Sequence, residues 1–172
     1  LVEAERRFTA GPIRHFAGVL SVRLFRLNAA RLLGKFAEVH RSLAGYLRDA
    51  VHRGDLHAHN SLTRALNLAW LVEDNPDEAR RRIDASTWVA EARGLHQQHL
   101  YDLYARVDIA LYTADHAALT RLLSECRRIS RSLLVRVQSN RVFVRHTLGR
   151  LALALAEATG DPRHLILAEH EA

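Results

Sequence analysis

Apolar residues recur at helical spacing along almost all of the 172 residues, and the strict alternation that marks half-buried β-strands is absent. Only three prolines interrupt the pattern, so the expected fold class is all-α. The amphipathic stretches predict first-of-pair helices over 13–33, 57–73, 97–113 and 133–159. Second-of-pair helices are predicted over 36–52, 77–93, 116–131 and 163–170 or beyond. A phrase returns inside each first helix: Leu27-Asn28-Ala29-Ala30, Leu66-Asn67-Leu68-Ala69, Val107-Asp108-Ile109-Ala110 and Leu153-Ala154-Leu155-Ala156, at steps of 39, 41 and 46 residues. Each phrase runs into a break, at Gly34, Asp74-Asn75-Pro76, Ala114-Asp115 or Gly160-Asp161-Pro162. A period of this size predicts a right-handed solenoid of about four antiparallel helix pairs, spanning residues 1–172 as a single helical-repeat domain. Such folds bind other molecules more often than they catalyse, and no catalytic residue is assigned.

Two residue classes recur in register. Ala30, Ala69, Ala110 and Ala156 occupy the same position, where a small side chain lets paired helices approach closely. Asn28, Asn67 and Asp108 each precede that alanine by two, although leucine or alanine would make the better helix. This polar row either sits at a tolerant solvent-facing site or lines the inner face of the stack. On the second alternative, Asn28, Asn67, Tyr104 and Asp108 are the candidate partner-binding residues.

Charge adds a competing possibility. The chain carries a formal +6 with a pI near 10.4, and Lys35 is its single lysine, so its basic chemistry is arginine chemistry. Between Arg121 and Arg150 lie eight arginines and one acid, Glu125. Arg128, Arg131, Arg136, Arg141 and Arg145 are therefore a candidate face for phosphate or an acidic partner, with affinity that falls as salt rises. Phe143 is the only aromatic in that segment, which argues against base-stacking readout of RNA. The alternative function is thus a basic module that binds nucleic acid through Arg121 to Arg150.

Other motifs yield little chemistry. His52 to Asn60 places Asp55 and Asn60 five residues apart, as in a kinase catalytic loop. It lacks the upstream glycine-rich strand and lysine and the downstream metal-binding aspartate that phosphoryl transfer needs, so it is expected to be a turn between helix pairs. His57 with His59, and His96 with His99, offer two metal ligands each and no third by spacing. They are expected to be exposed or helix-capping, and neither a metal nor a cofactor is expected. The lone Cys126 cannot close an internal disulfide and is expected to be a half-buried structural residue, which suits a reducing cytosol. Apolar runs are too short to cross a bilayer, so no membrane partner is expected. Beginning at Leu1 and stopping inside a helical pattern at Leu165 to Ala172, the chain is expected to be a piece of a longer polypeptide.

The helix pairing, the small residue in each first helix and the turn after it look like tetratricopeptide-like repeats of a long, about 40-residue variety. More narrowly, Ala105-Arg106-Val107-Asp108-Ile109-Ala110-Leu111-Tyr112-Thr113-Ala114-Asp115, the arginine-rich surroundings and the ending Gly160-Asp161-Pro162-Arg163 resemble the C-terminal helical-repeat tails of large bacterial signalling proteins, of myxobacterial type, that carry serine/threonine kinase or nucleotide-binding domains. That resemblance implies a cytoplasmic interaction or sensory scaffold whose partner is a protein, a peptide or a flanking domain of the parent chain.

Overall fold

The computed structural model describes residues 2–10, 16–85 and 94–171, and all regular structure among them is helical. The order is α1 (Val2–Ala10), α2 (Phe16–Leu32), α3 (Phe36–His52), α4 (Leu56–Ala65), α5 (Leu68–Leu71), α6 (Pro76–Asp84), α7 (Gln97–Tyr112), α8 (His116–Ser130), a 3-10 turn η1 (Leu133–Arg136), α9 (Gln138–Thr159) and α10 (Pro162–Glu171). The fold is all-α, as the periodicity requires. Helix α3 coincides with the predicted segment, and α7, α8 and α10 differ from theirs by a residue or so. The later part of the predicted 77–93 helix and the first residues of the 13–33 helix lie outside the described residues. Among the described residues no helix is long and apolar enough to cross a membrane.

Two expectations need correction. The predicted 57–73 helix is divided, because turn residues Leu66 and Asn67 separate α4 from α5. The predicted 133–159 helix begins as η1, and an extended Val137 separates that turn from α9. Helix α1 was not anticipated from the sequence. It is anchored by charge: Glu5 accepts from Arg23 and from the Tyr46 hydroxyl, each at 2.9 Å, while Arg23 also pairs with Asp49 on α3.

One turn chemistry recurs between helices. At four of them a residue two or three positions past the helix end is left-handed, and its amide and that of the next residue close back on the preceding turn. Lys35, Asp55, Asn75 and Asp115 donate their amides to Ala30, Ala50, Trp70 and Ala110 carbonyls at 2.9–3.1 Å, while Gly34, Gly54, Asp74 and Ala114 close the inner bond. The side chains of Asp55, Asn75 and Asp115 then cap the next helix by accepting from the amides of Ala58, Glu78 and Ala118. Ala114 performs at φ +50° what Gly34 and Gly54 perform at +71° and +64°. A Cβ there costs about 1–2 kcal/mol, partly offset by the lower unfolded-state entropy of alanine. Ala114→Gly is therefore expected to raise the unfolding free energy by about 0.5–1 kcal/mol, seen as a melting temperature roughly 2–4 °C higher by circular dichroism. An unchanged or lower melting temperature would mean that the turn is not strained.

Consecutive helices pack on one another: α2 on α3, α3 on α4, α6 on α7, α7 on α8, α8 on α9 and α9 on α10. In addition α4 packs on both α2 and α7, and α7 on α9. The buried side chains form two clusters. The first is centred on Leu27, Leu43, Leu62, Leu66 and Trp70, the second on Leu103, Leu119, Cys126, Ile129 and Leu151. Helix α7 serves both, with Ala105 and Ile109 in the first and Leu100, Leu103, Val107 and Ala110 in the second. The α4/α7 seam that joins them is polar as well as apolar: Gln98 donates to Ser61 Oγ at 2.6 Å, and Arg64 Nε reaches Asp102 at 3.1 Å.

Candidate functional site

Three helices build one cleft, each with a stripe at helical spacing, and a fourth adds one residue. Helix α2 presents Ser21, Leu24, Phe25, Asn28 and Arg31, and α7 presents Gln97, Tyr101, Tyr104, Val107 and Asp108. From α9 come Ser139, Asn140, Phe143, His146, Thr147 and Arg150, with Ala65 of α4 and Val137 completing the wall. The cavity volume is about 280 Å³, close to the lower limit of small-molecule pockets. Leu24, Phe25, Val107 and Phe143 give it apolar walls, and the Tyr104 and Phe143 rings lie 6.1 Å apart in a tilted arrangement.

The polar groups fall into satisfied and unsatisfied sets. Arg150 Nη1 bridges α9 to α7 by donating to Asp108 at 2.7 Å. Gln97 and Asn140 exchange hydrogen bonds at 3.0 and 3.3 Å, and Asn28 donates to the Leu24 carbonyl of its own helix at 2.9 Å. By contrast, Arg31 Nε and the Tyr104 hydroxyl are buried and have no hydrogen-bond partner among the described residues. Burial pushes the Tyr104 phenol far above its ordinary value, with the Arg31 charge acting weakly in the other direction. The phenol therefore stays protonated and is available as a donor. His146 is held below the usual histidine value, first by desolvation and then by the charges of Arg150 and Arg31, against the opposing pull of Asp108.

Three of the four residues expected to bind a partner, Asn28, Tyr104 and Asp108, meet in this cleft. Asn67 does not. It is 1% exposed and donates across to the Ala79 carbonyl of α6 at 3.0 Å. The division between α4 and α5 takes it out of the register that Asn28 and Asp108 share, so Asn67 joins helices where a groove residue was expected. Arg31, Phe143, His146 and Arg150 were not among the residues expected to bind a partner, although Arg150 closes the expected basic face. Their signal was weak: Arg150 stands three residues before the fourth repeat phrase, and nothing local couples it to Asp108, 42 residues earlier.

The arginine-rich segment is spread over α8, η1 and α9. Arg131, Arg136 and Arg141 are exposed and make no ion pair among the described residues. Arg128 reaches Glu125 only at 3.9 Å. Arg145 is already engaged, because it pairs with Glu171 at 3.0 Å and donates to the His170 carbonyl at 3.2 Å. With Arg150 held by Asp108, two of the eight charges in this segment are balanced by acids from outside it, one of them from α10.

The remaining motifs have structural work. The segment from His52 to Asn60 is the end of α3, a turn and the start of α4, with Asp55 spent as an N-cap. At the start of α7, His96 donates its amide to Nδ1 of His99 at 3.2 Å, and the two rings meet edge to face. Cys126 is fully buried, deeper than the expected half-burial, and desolvation pushes its thiol up to about 12. No family model matches the chain, and neither a curated protein nor a solved structure matches it.

Proposed function

We propose that this chain is a non-catalytic interaction and sensory scaffold of a bacterial signalling protein. The proposed architecture is a right-handed solenoid in which α2 with α3, α4 and α5 with α6, α7 with α8, and α9 with α10 form four antiparallel pairs. One observation carries the functional part. The first helices of all four proposed pairs contribute to a single cleft, and the recurrent polar positions Asn28 and Asp108 converge there. A groove built by equivalent helices of successive pairs is where stacked-repeat proteins present their binding surface. The bacterial signalling context rests on the sequence resemblance alone.

A photocrosslinking residue in place of Phe25, which is 61% exposed at the cleft, tests the assignment in lysate. The expected result is a protein adduct that excess wild-type chain suppresses and excess Asn28→Ala/Asp108→Ala chain does not. Asn67→Ala separates the two kinds of polar residue. It is expected to lose about 1 kcal/mol of stability with its interhelical hydrogen bond while still competing normally, whereas Asn28→Ala competes poorly and melts like wild type. Equal competition by all variants would remove the cleft from the function.

A second reading, binding of nucleic acid, is favoured by the exposed Arg131, Arg136 and Arg141, which make no ion pair among the described residues. Recovery of nuclease-sensitive material that is lost with Arg131→Glu/Arg136→Glu/Arg141→Glu and at higher salt would establish that reading over the first.

A further inference from the structure

Two residues that line the cleft, Arg31 and Tyr104, each carry a buried hydrogen-bond donor with no partner among the described residues. Buried polar groups in folded proteins are almost always paired, and each exception calls for an account. Both Arg31 Nε and the Tyr104 hydroxyl face the same problem in the same cavity, and Arg31 stands close enough for its charge to act on the Tyr104 phenol. The one carboxylate lining the cavity, Asp108, is already taken by Arg150 at 2.7 Å. The described lining thus supplies donors and positive charge without a free carboxylate. Around them Leu24, Phe25, Val107 and Phe143 offer apolar and aromatic surface.

We propose that this cleft binds a small apolar monocarboxylate, with its anionic head received by Arg31 and Tyr104 and its body against Phe25, Phe143 and Val107. The inference deepens the sensory scaffold reading by naming the class of signal, and it rests on the same cleft. An arginine and a neutral phenol together suit a carboxylate: the guanidinium contributes charge, and the phenol contributes a second donor. A cationic ligand meets Arg31 and Arg150 with no unpaired acid. A neutral apolar ligand leaves both donors as they are, which is the unfavourable state that the carboxylate relieves.

Isothermal titration calorimetry with decanoate and naphthalene-2-carboxylate as probes, and with 1-decanol and 2-naphthylmethanol as uncharged controls, tests this. At least one carboxylate is expected to bind saturably at one site and at least tenfold more tightly than its alcohol. Tyr104→Phe is expected to weaken the carboxylate about tenfold and the alcohol hardly at all, and Arg31→Gln to weaken it at least as much. Tyr104→Phe retains the ring and removes an unpaired hydroxyl, so its melting temperature is expected to stay at or above that of the wild type, which keeps the comparison clear of misfolding. Equal affinity for acid and alcohol, no saturable binding of either acid, or unaltered binding in both variants would overturn the proposal. Tighter binding of N-acetyl-trileucine through its free carboxylate than of both probes would also overturn it, by assigning the same donors to a peptide terminus. The Phe25 crosslink is read separately in the presence of decanoate. If decanoate binds and the protein adduct persists undiminished, the ligand site stands and the partner reading loses this cleft. If the adduct falls as decanoate saturates, both stand together.

Discussion

Replacement of Arg64 by alanine is expected to lower the unfolding free energy by about 3 kcal/mol, at the lower end of what breaking a buried ion pair costs. Arg64 is 3% exposed, and its guanidinium joins three helices: Nε donates to Asp102 of α7 at 3.1 Å and Nη2 to the Ile83 carbonyl of α6 at 3.4 Å, from a side chain rooted in α4. Truncation removes both bonds and opens a cavity in the seam where the two apolar clusters meet. The loss stays near the low end because Asp102 keeps a second cation, Arg106, at 2.8 Å. Asp102→Asn is expected to cost a similar amount, since it leaves the buried arginine facing a neutral amide. The double variant is expected to be clearly better than the sum of the two, giving a coupling energy of about 1–3 kcal/mol in a urea-denaturation cycle. Strictly additive losses would mean that the pair does not act as a unit.

Leu103→Ala is expected to cost about 2–5 kcal/mol, and Leu153→Ala less than about 0.5 kcal/mol. Leu103 lies inside α7 and Leu153 inside α9, and the two are identical in propensity, so the contrast isolates burial. Leu103 has no exposed surface and sits among Leu100, Val107, Leu119 and Leu123, while Leu153 is 48% exposed although it belongs to the repeat phrase. A loss of this size is a large fraction of the roughly 5–15 kcal/mol that holds an ordinary domain folded. Leu103→Met, which nearly conserves volume, is expected to recover most of it and hold the loss under about 1.5 kcal/mol. Comparable losses for Leu103→Ala and Leu153→Ala in urea denaturation would contradict the assigned core. The same pair tests whether repeat register alone can identify core positions, and the expected answer is that it cannot.

Where helices begin and end was largely legible because the determinants are local. Periodic apolar residues set the buried faces of α3 and α8, whose beginnings Gly34 and Asp115 mark, as Asp74 marks the turn before α6, through turn and cap chemistry that acts over five or six residues. The division at Leu66 and Asn67 was not legible, since periodicity continues smoothly through it into Ala69 and Trp70. Helix α1 was missed for a related reason: it has no place in the repeat, and what anchors it comes from Arg23 and Tyr46, far along the chain. Among the residues that line the cleft, Asn28 and Asp108 were legible from their shared register. Arg31 and Tyr104 as unpaired donors were not recoverable, because having no partner is a property of everything that surrounds a group.

By itself, then, the sequence determined the all-α class, the positions of most helices and the turns that separate them, because those depend on contacts within a few residues. It also determined that arginine would supply nearly all of the positive charge. Tertiary structure alone decided that Asn67 is enclosed against α6 while Asn28 and Asp108 open onto a cleft. It likewise decided that Arg145 and Arg150 are balanced by Glu171 and Asp108, and that Arg131, Arg136 and Arg141 remain open to solvent. The physical reason is range. Backbone hydrogen bonds and caps are satisfied locally, whereas burial and ion pairing depend on which distant helices arrive beside a side chain.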